Sequence, residues 1–261
     1  HYTVDMEAAA VGWDWGPQGW VWRVVLRDLL LLVAVAGGWD YILYFSPLKE
    51  RLAPYKFNKR YPAWSQLRRD MFWTLSATLL ASAQEVLLMR WWASGRFKRA
   101  WFGSPPPGSA AEASVPYNPA FFGTEETPYF VLWTLTMLYW RISHFYFIHR
   151  GMHPWWDRKG GLRNGDVGAF LYRHCHSVHH KSHNVGPWSS LSMHPGEHVI
   201  YFSFIPLFAI ALQRHVLPVA CALHPAHMLF VKFHADLSAL AGHDGYGDPG
   251  ADDVGHYLHH K

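Results

Sequence analysis

Cysteine is nearly missing from this chain: Cys175 and Cys221 are its two thiols in 261 residues. No disulfide framework can hold the fold, and a reducing compartment is the simpler expectation. Charge is also scarce. Asp, Glu, Lys and Arg make up 16% of the residues, against about 25% in an average soluble domain, while half the chain is hydrophobic and 15 residues are Trp. That deficit points toward lipid. The HExxH arrangement of zinc proteases is absent, because Arg-Gly-Met separates His149 from His153 and supplies no glutamate base, so hydrolysis is disfavoured. No solenoid-type repeat occurs and no nucleic-acid motif accompanies the net charge of +4. The basic residues flank apolar runs, which makes a bilayer surface the better partner and nucleic acid an excluded one.

The apolar runs predict an all-α chain of about four transmembrane or re-entrant helices. The first, Trp20 to Phe45, has an uncharged core of only Leu29 to Trp39, bracketed by Asp28 and Asp40 and short of the roughly 20 residues a span needs. Residues 46–70 carry seven basic against two acidic side chains, which places them on the cytoplasmic side. Met71 to Met89 is interrupted only by Glu85, and residues 90–126, with Pro105-Pro106-Pro107-Gly108, form an outer loop and linker. Pro128 to Ile148 then returns the chain to the cytoplasmic face at His149. Residues 149–198 are polar and basic, and Val199 to Leu212 with Val216 to Val231 make a short or re-entrant hairpin. The expected division is 1–126, membrane helices and linker, and 127–261, a metal-binding part. The His at the first position and the stop just after the last His triple suggest a fragment.

What the chain has in abundance is histidine, 19 residues of 261. His176, His179 and His180 stand at i, i+3 and i+4, and His256, His259 and His260 repeat the spacing; His149 and His153 stand at i and i+4. At this frequency an HxxxH pair is expected roughly once by chance and an HxxHH triple about 0.1 times, so the two triples carry the signal. A His-rich tract or tag would cluster its rings in one run, whereas these are dispersed through varied sequence. On a helix such spacing gathers the rings on one face. Eight imidazoles are twice the four ligands of a structural zinc site, which argues for two ions held between helices. Imidazole suits zinc, iron, copper and nickel alike, so the count does not name the metal. Two redox-active ions at a membrane surface suit reduction of dioxygen and attack on an unactivated C–H bond of a lipid.

HxxxH followed by two HxxHH boxes on a chain with hydrophobic helices resembles the fatty acid hydroxylase and sterol desaturase superfamily of membrane diiron oxygenases. The likeness covers about residues 140–261. It is reinforced by Tyr146-Phe147-Ile148-His149-Arg150-Gly151-Met152-His153-Pro154, by Ser192-Met193-His194-Pro195-Gly196-Glu197-His198 and by Gly242-His243-Asp244-Gly245. The His-Arg-Gly-Met-His-Pro string leans toward the sterol desaturase branch. The resemblance implies membrane helices capped by a cytosolic helical metal domain, in the endoplasmic reticulum of a eukaryote or the inner membrane of a bacterium. It implies hydroxylation or desaturation of a lipid, sterol or fatty-acyl type, with two iron ions, dioxygen and electrons from a cytochrome b5-like or ferredoxin-like donor; zinc can stand in for iron in a structure. It implies His149, His153, His176, His179, His180, His256, His259 and His260 as catalytic ligands, with His243 a ninth metal ligand; a tenth position of some members falls on Ala239.

Other residues have blander readings. His174 is expected to contact the site from outside or touch substrate, His194 and His198 to cap or bond Glu197, and His144 to be a satisfied buried ring. His224, His227 and His234 either orient ligands or simply pack. Cys175 is expected to be a filler, and Asp157, Asp166, Glu197, Asp244, Asp252 and Asp253 are candidate acceptors for the distal N–H of ligating rings. The competing functional class is a non-catalytic metal-binding or metal-transporting membrane protein, disfavoured because the His boxes lie outside the apolar runs. A relative that has lost activity is the third.

Overall fold

The computed structural model describes residues 8–9, 12–58, 60–93, 127–207, 225–247 and 253–261. Among these the chain is helical with no strand, apart from one isolated bridge between Lys56 and Tyr246. Helix α1 (Trp20–Leu32) runs through a wide turn at Val33–Gly37 into α2 (Gly38–Tyr44), followed by the short α3 (Lys49–Leu52) and the long α4 (Trp64–Ala93). After the linker come α5 (Thr127–Gly151), α6 (Val167–His174), α7 (Pro195–Tyr201) and α8 (Phe204–Leu207), then α9 (Pro225–Ala241) and α10 (Asp253–His259). The expected Pro-rich linker, most of the hairpin between 199 and 231, Cys221, His224 and Asp252 lie outside the described residues.

Helix α4 explains how this chain inverts the usual pattern. It contains neither Gly nor Pro over 30 residues, and its polar side chains Gln66, Asp70, Thr74, Thr78 and Ser82 recur every fourth residue, hence on one face. From Asp70 onward that polar face is the buried one, while Phe72 and Leu79 stand outward. Helix α5 does the same: Arg141 and His144 are buried, whereas Leu132, Leu135, Tyr139 and Phe147 are exposed. On α1 and α2, Asp28 and Asp40 are buried beside outward-facing Trp22, Leu26 and Leu30. Of the described helices, α4 alone is long and apolar enough to cross a bilayer; Trp20–Tyr44 with Lys49–Tyr55 would add a second if this pair, bent by 76°, counts as one span. Among the described residues these are one or two of the four expected, and the expected hairpin of Val199 to Val231 lies mostly outside them. Arg141, His144 and the many Trp and Tyr residues of α5 dilute its apolar character.

The described chain forms two units. One draws on His1–Leu26, Ser82–Tyr146 and Tyr201–Phe233, the other on Arg27–Ala81, Phe147–Ile200 and His234–Lys261. In the first, Trp20, Trp92, Met89, Met137 and Phe204 are buried, Glu85 pairs with Lys232 at 3.7 Å, and the Trp140 indole donates to the Phe204 carbonyl. In the second, which holds every His box, the N-terminal half of α4 is a polar scaffold. Asp70, 2% exposed, accepts from the hydroxyls of Ser182 (2.8 Å) and Ser192 (3.2 Å) and from Gln66 and Arg69. Thr74 donates to the Trp188 carbonyl, and Gln66 also donates to the Asn184 carbonyl. Four donors on one buried carboxylate tie the segment after the first His triple to α4, so N-terminal sequence helps build a site whose ligands are all C-terminal.

Replacing Asp70 with Ala leaves the Ser182 and Ser192 hydroxyls without their acceptor in a dry setting. We expect a loss of about 3 kcal/mol, seen as a lowered midpoint of thermal unfolding in detergent, with Asp70→Asn intermediate. An unchanged midpoint for Asp70→Ala would contradict the scaffold assignment.

Candidate metal centre

Five elements of the second unit deliver the imidazoles. His149 sits in the last turn of α5 and His153 just beyond its end, where the Met152 and His153 amides still bond back to carbonyls of the final turn. The following loop is folded around Asp166. Its carboxylate accepts from the amides of Trp155, Trp156 and Asp157 at 2.7–2.9 Å and from Ala169 at 2.8 Å, capping α6. Burial works to raise the Asp166 pKa, but these four donors prevail and lower it to about 2. Gly168 is required here, since a Cβ would sit 2.1 Å from the His153 carbonyl oxygen. Asp166 thereby fixes the distance between His153 and the first triple.

That triple is not on an α-helix, contrary to the expectation from its spacing: His176–Lys181 is a 3-10 turn that follows a break at Cys175. With three residues per turn, His176 and His179 project in parallel, their rings 5.7 Å apart and 28° between planes. His256 and His259 lie on α10, with His260 just after it, and His243 follows α9. The nine rings fall into two groups, each with ligand nitrogens within 4.8 Å of one another and able to hold a metal ion. Site A is His149, His153, His176, His180 and His259; site B is His179, His243, His256 and His260. Each triple is divided: His176 and His180 enter A while His179 enters B, and His256 and His260 enter B while His259 enters A. The sites adjoin, for the rings of His180 and His260 stack at 5.0 Å.

The nitrogens match an ion at each centre. The His179 Nδ1–H donates to the Ser192 carbonyl (3.2 Å) and the His243 Nδ1–H to the Ala239 carbonyl (2.7 Å), because a carbonyl can only accept. Burial, and then the neighbouring rings, hold both far below the ordinary imidazole pKa, so both are neutral. Their lone pairs therefore sit on Nε2, and these two atoms face each other at 3.2 Å. Opposed lone pairs repel unless a cation lies between them. Two nitrogens about 2.1 Å from one ion are about 3.0 Å apart at a right angle and about 3.4 Å at the tetrahedral angle. Contacts of 2.7–3.1 Å join His149, His153, His176, His180 and His259, and 2.8 Å separates His243 from His256. These contacts lie close to the spacing of two nitrogens on one ion. His260 is 1% exposed, and neither of its ring nitrogens has a hydrogen-bond partner.

Surrounding groups set the rings. Glu197 accepts from His176 Nδ1 at 2.6 Å with both side chains buried, as anticipated for an acceptor beside a candidate ligand. Asp157 and Asp244 instead bond amides of their own turns, and of Asp253 only its place at the start of α10 is described. Sequence reasoning missed His183, whose Nδ1–H donates to the His260 carbonyl, and Tyr172, whose ring lies 5.3 Å from His153 and 5.4 Å from His180. Neither has a spacing that separates it from a surface residue. His174 is exposed against Phe170 and His194 accepts from the Gly196 amide; Cys175 joins neither group. His144 bonds Ser203 at 3.2 Å, while His198 and His227 are buried outside both groups.

Two outcomes are expected. Glu197→Gln should weaken metal binding by about 10–100-fold without removing a ligand, measured by competition with a chromogenic chelator; unaltered affinity would remove Glu197 from the site. The metal-free chain should lose stability under mild acid. Burial, then adjacent rings, lowers His153 to about 3 and His180 to about 2, whereas the same rings titrate near 6.5 when unfolded. Below that value the unfolded chain binds protons that the folded one refuses, so stability is full above about pH 6.5 and falls as pH drops through it. A melting temperature flat between pH 7 and 5 would contradict this.

No protein-family model, curated protein or solved structure matches the chain.

Proposed function

We propose that the chain is an integral-membrane oxidoreductase of the fatty acid hydroxylase and sterol desaturase type. Its substrate is a lipid, sterol or fatty-acyl in kind, and its centre is a pair of iron ions on nine imidazoles. The observation that carries this reading is the adjacency of two all-imidazole groups. Neither group contains a carboxylate, and no glutamate follows the HxxxH histidine to serve as a hydrolytic base. When bound, iron supplies the electron-transfer chemistry that dioxygen reduction needs; zinc would occupy the same rings without that capacity.

Overall, a substrate C–H, dioxygen, two electrons and two protons give an alcohol and one water. For desaturation the same inputs remove two hydrogens and give two waters. The electrons come from a cytochrome b5-like or ferredoxin-like protein. The chain's own part is to hold and arrange. His179 and His243, each with its Nδ1–H on a main-chain carbonyl, present Nε2 to site B. The buried His176–Glu197 pair fixes one ring of site A, and Tyr172 walls that site. The inside-out helices support the membrane assignment, since buried polar faces with apolar residues outward suit a lipid surround. The basic excess in residues 46–70 and 149–198 supports a metal centre on the cytoplasmic face.

The test is expression of the full-length chain in a host lacking such enzymes, with mass spectrometry of the lipid extract. A product that gains one oxygen or loses two hydrogens is expected. His179→Ala should reduce it to background while membrane insertion is retained. Wild-type-like oxidation by that variant would refute the site. Absence of any product from the wild type, together with metal flux into proteoliposomes, would favour the transporter class instead.

A further inference from the structure

Sites A and B differ in how they are walled. In site B, His179, His243 and His260 are each at most 5% exposed and His256 is half-buried. Two of its rings are fixed by the main chain, His179 on the Ser192 carbonyl and His243 on the Ala239 carbonyl. Ser192 is itself held by Asp70, and the chain at His260 by His183. To release an ion, a ring must swing away and let water or a competing ligand in. Here that means breaking backbone hydrogen bonds within a packed interior. In site A, His176 and His180 are buried, but His149 and His153 are only half-buried and their contacts with His259 lie at the surface. These three rings come from the end of α5, the turn after it and the short final helix, so one side of site A opens outward without the scaffold moving.

We propose that the two ions are kinetically unequal: site B holds a retained ion that is part of the folded structure, and site A an exchangeable one reached through the His149, His153 and His259 side. This rests on the reading that both groups bind metal, but not on any oxidation being catalysed. A half-loaded chain then carries its ion in site B.

The experiment uses the full chain in detergent, loaded with zinc to two ions per chain and challenged with excess EDTA, with ions remaining counted by mass spectrometry over time. Release is expected in two equal steps, the second slower by roughly tenfold or more because it requires local opening of a packed region. His259→Ala should abolish the fast step and leave the slow one. His243→Ala should abolish the slow step, and should also lower the melting temperature more than His259→Ala does. A single release phase for both ions overturns the proposal, as does loss of the slow step in His259→Ala. Should His243→Ala fail to fold, the His259→Ala trace and the wild-type trace still decide it. Two-step release without lipid oxidation would sink the proposed reaction and leave this inference standing; oxidation with single-phase release would do the reverse.

Discussion

Imidazoles gathered into two tight groups cannot all turn their lone pairs inward without a cation to receive them. The contact between His179 and His243 shows the constraint most plainly, since both rings spend their one N–H on a main-chain carbonyl and are left facing each other at 3.2 Å. Protonation would relieve the repulsion, but burial opposes it in both rings. A positive ion is the remaining remedy. The elements that hold these rings in place, from Asp166 at the start of α6 to Asp70 on α4, preserve an arrangement that is unfavourable when empty. An ion held there would couple metal binding to folding, as it does wherever ligands converge only in the native state.

The helices that carry this arrangement bury polar groups and expose apolar ones. That inversion lets α4 serve two roles with a single sequence. Its Gln66, Asp70 and Thr74 reach the segment around residues 181–192 through directed hydrogen bonds, while Phe72 and Leu79 on other faces suit contact with lipid. Directed bonds fix position more narrowly than apolar packing does, which matters for ligands that must meet within a few tenths of an ångström. An apolar inner face of the same helix would bury as much surface without specifying where Ser182 and Ser192 lie.

The gathering of the His boxes was legible in the sequence because their spacing is rare by chance, and the all-α class because the apolar runs are long. Three other features were not. The polar stripe of α4 reads in sequence as Glu85 interrupting an apolar run, and its four-residue period gains meaning only once the buried face is known. The 3-10 geometry at His176–Lys181 overrides the helical expectation because Cys175 adopts a non-helical backbone and ends α6 just before it. The joining of residues 27–81 with the His boxes is long-range, carried by single hydrogen bonds such as Tyr44 to the Asp244 carbonyl and Tyr246 to the Leu43 carbonyl, and no local pattern announces these.

The division of the triples shows how HxxHH, unlike HxxxH, distributes its rings between two groups. On an α-helix, residues i and i+4 differ by about 40° around the axis, and i+3 and i+4 by about 100°. His256 and His260 accordingly converge on site B while His259 turns to site A. The 3-10 turn reaches the same division by another route: His176 and His179 project side by side into neighbouring sites, and His180 folds back until its Nε2 is 3.0 Å from that of His176. Each triple thus serves both sites, two rings to one and one to the other, in opposite order. The 5.0 Å stacking of His180 on His260, one from each triple and one from each site, is where the two divided boxes meet.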